Sequence, residues 1–223
     1  MIEDIVTYLK GVDTPTLCNA IELLGVRKHE EGFTPLAIRC LFPELGRMVG
    51  YAVTAQVETV TQMEPRDNHL FLHLYALVQQ SLKPAVVVLQ EIGGHGDYAA
   101  HAGEVMCTIF QRLGAVGLVS DCGVRDIPEV RKLGFHYFAR GTVASHANFR
   151  IARVGLPVQI GAVVIQPGDL LHGDENGLTV VPVEKRDHLP AMVERVRNRE
   201  GALLDYVRSD EFNLEGLRKH VLE

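Results

Sequence analysis

The sequence predicts an α/β protein, one domain in which a mixed sheet is flanked by helices. Three observations carry that expectation. A length of 223 residues suits a single full domain. Hydrophobic residues make up 47% and charged residues 22%, a globular balance that excludes disorder, collagen-like repeats or a coiled coil as a description of the whole chain. Between Ala85 and Ser120, an apolar strand pattern, an amphipathic helix pattern and a second strand pattern follow one another. That rhythm is a βαβ unit, with parallel pairing and a right-handed crossover.

In chain order, the first expected element is a helix from Thr14. Asp13 and Thr14 can cap it, Pro15 suits its first turn, Gly25 can end it, and Leu17, Ala20, Ile21 and Leu24 give it an apolar face. Tyr51 to Val60 alternates and β-branches like a strand. Asn68 to Leu82 carries Leu70, Phe71, Leu74, Leu77, Val78 and Leu82 on one helical stripe. Ala85 to Gln90 has the composition of a buried strand, Gly93-Gly94-His95-Gly96 is a loop, and Ala102, Val105, Met106, Ile109, Phe110 and Leu113 mark the next helix. Val116 to Ser120 is the strand that follows it. A further helix begins near Ile127. Beyond it, Phe135–Ala139, Val158–Ile165, Asp169–Gly173 and Leu178–Val181 read as short strands broken by Gly, Pro and Asn-Gly. From about Glu184 the chain is helical, with Leu189, Met192, Val193 and Val196 facing one way. Residues 1–200 then form one domain, and 201–223 a charged helical tail able to contact a neighbouring subunit.

Twenty-two basic against twenty-eight acidic residues give a formal charge of −6. Nucleic acid is therefore not an expected partner, because phosphate binding needs a concentrated positive surface. Apolar runs such as Ala85 to Leu89 fall far short of the ~20 residues a membrane span requires. Met1-Ile2-Glu3-Asp4 is acidic and lacks an apolar signal core, and Cys18, Cys40, Cys107 and Cys122 form no CxxC pair. The expectation is a cytoplasmic protein whose reduced thiols pack as small hydrophobes.

The densest chemistry is Asp121-Cys122-Gly123-Val124-Arg125-Asp126, directly after a strand, where open α/β sheets bind ligands. A guanidinium can hold a carboxylate bidentately, and the neighbouring Asp can offer a hard oxygen to Mg²⁺. The alternative is an Arg–Asp pair capping the helix near Ile127. A second candidate is the helix start at Gly103-Glu104-Val105-Met106, whose exposed N–H groups suit an anion. Gly94-x-Gly96-x-x-Ala99, followed by Asp121, matches a relaxed dinucleotide fingerprint, although Glu91-Ile92-Gly93 separate it from its strand. His95, Asp97 and His101 lie close together in sequence without a standard zinc spacing. Asp174-Glu175-Asn176-Gly177 reads as a hairpin turn rather than a calcium loop. No Gly-x-Ser-x-Gly occurs, and no serine or cysteine nucleophile is nominated.

Taken together, Gly103-Glu104, Gly114 to Val119, Asp121 to Asp126, Gly134-Phe135 and Phe138-Ala139-Arg140-Gly141 resemble the RraA-like family in order and spacing. That family includes 4-hydroxy-4-methyl-2-oxoglutarate/4-carboxy-4-hydroxy-2-oxoadipate aldolases and the regulator of ribonuclease activity A. Thr14 to Gly25, Gly50 to Thr54 and Asp67-Asn68 upstream are similar to it too, as are Gly161 to Asp169 and Asp174 to Pro182 downstream. The resemblance runs from about residue 14 to 200. It implies an α-β-β-α sandwich of the swivelling-domain type, assembled as trimers or hexamers with the cleft between subunits. It also implies a class II aldolase that cleaves 4-hydroxy-2-oxo acids to pyruvate with Mg²⁺ or Mn²⁺, and decarboxylates oxaloacetate as a side activity. Carried over, Asp126 ligates the metal and Arg125 binds the pyruvoyl oxygens. Gly103 and the N–H groups of Val105 and Met106 hold the substrate carboxylate. Glu104 stands where the aldolases carry an Asp that contacts water on the metal, and Glu200 from an adjacent subunit assists. The family's other expectations are a non-catalytic regulator that binds an RNA-degrading enzyme, or a lyase for another 2-oxo or sugar acid. The tail beyond Glu200 favours the enzyme. Among His95, His101, His136 and His146, any that lines the cleft would point to a larger or more hydroxylated substrate.

Overall fold

A computed structural model describes residues 4–60 and 68–222, so Asp67 lies outside the described residues. The elements run α1 (Ile5–Lys10), α2 (Thr14–Leu24), β1 (Arg39–Cys40), β2 (Met48–Val60), α3 (Asn68–Gln80), β3 (Ala85–Glu91), α4 (Glu104–Arg112), β4 (Ala115–Ser120), β5 (Gly123–Val124) and α5 (Ile127–Leu133). They continue with β6 (His136–Ala139), β7 (Gly141–Thr142), β8 (Asn148–Val154), β9 (Val158–Ile160), β10 (Val163–Ile165), β11 (Leu170–Asp174), β12 (Gly177–Val181), α6 (Leu189–Arg208) and α7 (Leu214–Leu222).

One long strand organises the sheet, whose order is β1-β6-β4-β3-β2-β11-β12. Along one edge β2 pairs in parallel with β3. On its other edge Met48–Tyr51 pair with β11 and Ala55–Val60 pair with β8, both antiparallel. The β2–β8 register shifts between Gln56 and Val57. β3, β4 and β6 continue in parallel, with α4 in the first crossover and α5 in the second. The sheet is therefore mixed, and the predicted βαβ unit is its centre.

The apolar run in β3 shows how the layers form, because successive side chains of a strand point to opposite faces. Ala85, Val87 and Leu89 join the core beneath α3, α4 and α5, with Leu74, Phe110, Val130 and Tyr137. Val86 and Val88 join a second core on the opposite face, closed by Ile160 and Ile165 of the β9–β10 hairpin. A third core packs α1, α2 and α6 on Val49, Leu170 and Val181. This is a mixed α/β domain with helices flanking the sheet, as the sequence predicts.

Local chemistry sets the element ends. Asp13 Oδ1 accepts the Thr16 amide at 2.9 Å, Pro15 sits in the first turn of α2, and Gly25 ends that helix in the left-handed region with φ 63°. Asp174 pairs with Gly177 across a two-residue hairpin turn, in which Asp174 Oδ1 accepts the Asn176 amide at 2.8 Å. Three features differ from the sequence expectation. Val158–Ile165 is a hairpin rather than one strand, because Gly161 turns the chain at φ 61°. α1, β8 and the two-residue strands β1, β5 and β7 are additional elements. α6 runs unbroken through Glu200 to Arg208, so the helical tail is continuous with the domain.

His172 of β11 ties α1 and α2 to the sheet and gives stability a pH dependence. Its Nε2 lies 3.1 Å from the Leu9 carbonyl and 2.9 Å from that of Val12, and its Nδ1 lies 3.1 Å from Thr14 Oγ1. Both carbonyls accept, so Nε2 carries the proton and Nδ1 takes the Thr14 hydroxyl's hydrogen. Burial pushes the His172 pKa down, against the opposing pull of the two carbonyls and Asp174. With the folded pKa below the unfolded value of about 6.5, the unfolded chain takes up the proton first. This contribution is complete above that value and is lost as pH falls through it. Burial lowers His136 in the same direction. Thermal unfolding followed at about pH 8 and about pH 5.5 is expected to show the melting temperature falling toward acid. His172→Gln, which keeps a donor for the carbonyls but cannot titrate, is expected to flatten that slope. Equal slopes in the two proteins would contradict this account.

Candidate active site

Two segments run side by side and place the Arg-Asp pair against the start of a helix. Ala100 bridges Gly123, the His101 amide donates to the Gly123 carbonyl at 2.9 Å, and the Arg125 amide donates to the Ala102 carbonyl at 3.0 Å. This register lays Gly103 against Asp126. A Cβ on Gly103 would stand 2.2 Å from Asp126 Oδ2 and 3.1 Å from Arg125 Nε, so the absence of a side chain lets the carboxylate reach α4. Asp126 Oδ2 accepts the Glu104 amide at 2.9 Å and lies 3.6 Å from Arg125 Nε.

Asp126 itself adopts left-handed backbone angles, φ 59° and ψ 46°, which Asp tolerates better than most residues. Its side chain makes no capping bond to α5. The alternative reading, an Arg–Asp pair that caps the helix near Ile127, is thus replaced by a carboxylate that caps α4 from across the chain. Both side chains remain about one-third exposed, 37% for Arg125 and 36% for Asp126, and so are open to a ligand.

They open onto a cleft of about 450 Å³. One wall is Gly103, Val105, Met106, Arg125 and Asp126, and the facing wall is Phe71, Leu72, Tyr75 and Phe149, with His146 on the same lining. Val105 and Met106 stand in the first turn of α4, where backbone N–H groups have no partner within the helix. The dipole of the helix adds partial positive charge there. Arg125, the α4 amides and the hard oxygens of Asp126 therefore converge on one space. The structure does not place Glu104 and Glu200 in the same way. The Glu104 amide is on Asp126 while its side chain is exposed and is not part of the cleft lining. Glu200 lies on α6, where Asn19 Nδ2 donates to its Oε1 at 3.1 Å, in the layer formed with α1 and α2 rather than at this cleft.

A buried network that sequence reasoning did not find lies behind the cleft floor. Glu91 ends β3 and accepts from the Thr59 amide (2.9 Å), the Gly93 amide (2.7 Å) and the Thr59 hydroxyl (2.6 Å), while His101 Nε2 lies 2.9 Å from its Oε2. His101 Nδ1 is 3.0 Å from Ser120 Oγ. Burial works against the charge on Glu91, but the bonds from His101, Thr59 and Gly93 outweigh it and hold the pKa at about 2. Asp121 Oδ1 accepts the Glu91 amide at 2.7 Å, and burial pushes the Asp121 pKa up to about 6. Burial raises the thiols of Cys107 and Cys122, the first to about 12. The one legible signal was an acidic residue at the end of an apolar strand, before Gly93-Gly94.

The remaining sequence candidates separate. Gly96–Tyr98 form a short 3₁₀ turn, and the chain runs extended before α4, so the fingerprint glycines do not open that helix. His95 is exposed and Asp97 pairs with Arg140 at 2.8 Å, so neither joins His101. Of the four histidines, His101 and His146 line the cleft, which by the sequence expectation favours a larger or more hydroxylated acid, and His136 is buried elsewhere. All four cysteines are free. Among the described residues, no helix is long and apolar enough to cross a membrane.

Comparison with known proteins bears on the family and the fold. The family model described as RraA-like, Aldolase/RraA, matches residues 14–180. A Halalkalibacterium halodurans protein, named as a candidate 4-hydroxy-4-methyl-2-oxoglutarate aldolase, is 30% identical over 95% of this chain and 94% of its own. An uncharacterised Pseudomonas syringae pv. tomato protein of known structure superposes with a TM-score of 0.72, at 25% identity, over 96% of each chain. Streptomyces coelicolor RraAS2, described as an unusual member of the RNase ES inhibitor RraA protein family, superposes with a TM-score of 0.70, at 24% identity, over 91% of this chain and 96% of that one. With the Asp121–Asp126 loop, the α4 helix start and nearly all of the sheet inside the matched span, the chain belongs to the RraA-like family.

Proposed function

We propose that the protein is a divalent-metal-dependent aldolase that cleaves 4-hydroxy-2-oxo acids to pyruvate, with oxaloacetate decarboxylation at the same site. The observation that carries this reading is the convergence of Arg125, Asp126 and the first-turn amides of α4 on one cleft. The name of the H. halodurans relative supports it.

The residues fit a magnesium-type ion. Asp126 presents a half-buried carboxylate at the cleft, and Mg²⁺ is commonly held by one or two carboxylates with the rest of its sphere left to substrate and water. Bound there, Mg²⁺ or Mn²⁺ would supply Lewis-acid stabilisation of the negative charge that develops on the 2-oxo oxygen. The chain's own groups do the rest. Arg125 holds the pyruvoyl oxygens through its planar fork, and the Val105 and Met106 amides hold the substrate carboxylate. The overall charge of −6 makes this local positive lining necessary for an anionic substrate. Asp126, pinned by the Glu104 amide, keeps its remaining lone pairs toward the cleft. Breaking the C3–C4 bond requires the C4 hydroxyl to lose its proton and C3 to gain one. Glu104, whose amide bonds Asp126 beside the cleft, takes the C4 hydroxyl proton and returns it to C3, and Glu200 joins it where a trimer or hexamer brings a second copy's α6 to the cleft. The facing wall of Phe71, Leu72, Tyr75 and Phe149 excludes water from the departing portion of the substrate.

The test is pyruvate release from oxaloacetate by the purified protein with Mg²⁺, then with EDTA. Release that stops on chelation and returns with excess Mg²⁺ or Mn²⁺ is the expected result. A well-folded protein that gives no pyruvate under either condition would overturn the decarboxylase and pyruvate-aldol reading, leaving a different acid or a binding role for this site.

A further inference from the structure

Behind the cleft floor, three side chains of metal-ligating type converge from three separate segments. Glu91 comes from the end of β3, His101 from the stretch leading into α4, and Cys122 from the loop after β4, and their donor atoms all lie within 4.8 Å of one another. We propose that Glu91, His101 and Cys122 bind a thiophilic divalent cation of the zinc class, separate from the hard-cation position at Asp126.

The identity of the donors selects the ion. A thiol and an imidazole suit zinc and its relatives, whereas Mg²⁺ and Mn²⁺ prefer the oxygen-only surroundings that Asp126 provides. The supporting contacts are those of a ligand set. Glu91 Oε1 is held by the Thr59 and Gly93 amides, and Oε2, which also accepts the Thr59 hydroxyl at 2.6 Å, is turned toward His101 Nε2 at 2.9 Å and Cys122 Sγ at 3.6 Å. His101 Nδ1 is fixed by Ser120 Oγ, so the ring is oriented with Nε2 inward. The same Ser120 Oγ accepts the Cys122 amide at 3.0 Å and so positions the thiol. Second-sphere bonds of this kind orient ligands in established zinc sites.

There is also room and access. A Cβ on Gly96 would stand 2.4 Å from Cys122 Sγ, so a residue without a side chain there makes space for the sulfur. Cys122 and Gly96 line a hollow of about 210 Å³, with Asp97 and Arg140 at its wall. Of the three ligands Cys122 borders this hollow, and three protein ligands with a fourth position left open is a recurrent zinc arrangement. On binding, the Cys122 S–H bond breaks, a sulfur–metal bond forms and the proton leaves to solvent. The buried Glu91 and the neighbouring Asp121 offset the incoming charge. The bound ion would pin together the ends of β3 and β4 and the strip Ala100–Ala102 that seats Arg125.

The experiment uses chelator-treated, refilled whole protein and reads the metal rather than turnover. Titration with Co²⁺ is expected to give a near-ultraviolet thiolate-to-cobalt charge-transfer band that saturates at one equivalent. The band is expected to persist in Asp126→Asn and vanish in Cys122→Ser and His101→Gln. A folded wild-type protein without the band overturns the proposal, as does a band that survives in Cys122→Ser. Should those variants not fold, X-ray absorption at the zinc edge of wild-type protein loaded with one equivalent of Zn²⁺ decides. One sulfur with nitrogen and oxygen neighbours supports the site, and an oxygen-and-nitrogen shell alone refutes it. Because neither readout depends on pyruvate formation, failure here leaves the aldolase reading standing, and the reverse also holds.

Discussion

Asp126→Asn is expected to leave the fold in place and to reduce metal-dependent turnover by about 10³-fold or more, the equivalent of the several kcal/mol that a bound cation contributes to a developing oxyanion. Asn is the informative replacement for two reasons. It tolerates the left-handed backbone found at this position, where φ is 59°. Its amide oxygen can also still accept the Glu104 amide that Asp126 Oδ2 accepts now. The melting temperature should therefore stay near the wild-type value while the anionic oxygens disappear. Asp126→Ala confounds the two effects, because Ala neither accepts that bond nor suits that backbone. Turnover that survives in the Asn variant would remove Asp126 from the reaction.

Gly103→Ala is expected to be nearly as damaging by a different route. Gly103 has an extended backbone, φ −143° and ψ −168°, so Ala meets no conformational barrier there. The added methyl would instead stand 2.2 Å from Asp126 Oδ2, and the carboxylate has to swing away from the α4 terminus. A displacement of about 1 Å in a catalytic group costs about 100-fold in rate. That loss is expected in kcat/KM, measured as pyruvate formation, together with the modest fall in melting temperature that losing the Asp126–Glu104 bond brings. An unimpaired Gly103→Ala enzyme would mean that the observed Asp126 position is not the working one.

The parts of the molecule that were legible in sequence are those whose signal is local. Ala85–Leu89 shows an unbroken apolar run because both faces of β3 are covered. α4 shows the helical stripe on which Phe110 packs inward, although Val105 of that stripe is exposed and Cys107, outside it, is buried. Asp13, Pro15 and Gly25 announce the ends of α2 because caps act on their immediate neighbours. α1 escaped because six residues hold too few turns for a periodicity to register. In β8, Phe149 and Ile151 do alternate with Arg150 and Ala152, but Arg153 falls on the same parity as the two buried residues and breaks the pattern before it is long enough to register. The site divides in the same way. Arg125-Asp126 could be found as a motif, and the α4 amides by their place at a helix start. That Asp126 caps α4 instead of its own helix follows from one left-handed residue and one missing Cβ, neither of which leaves a pattern in the letters. The Glu91–His101 contact is closed by a loop without periodicity, so nothing in the intervening residues announces it.

Strand β2 carries a consequence for how the chain reaches this state. Its β3 partner follows soon after it, but β8 and β11, which share its other edge, arrive far later in the sequence. The β3–α4–β4 unit can assemble from neighbouring chain, whereas completing the second edge of β2 requires long loops to close, and that entropy is lost before the contacts form. Folding speed is thus governed by the late arrival of β8 and β11. The cleft waits on that step, since Phe149 of β8 supplies part of its wall. Ligand binding therefore reports on the completed sheet rather than on the early-forming half that bears the Arg-Asp pair.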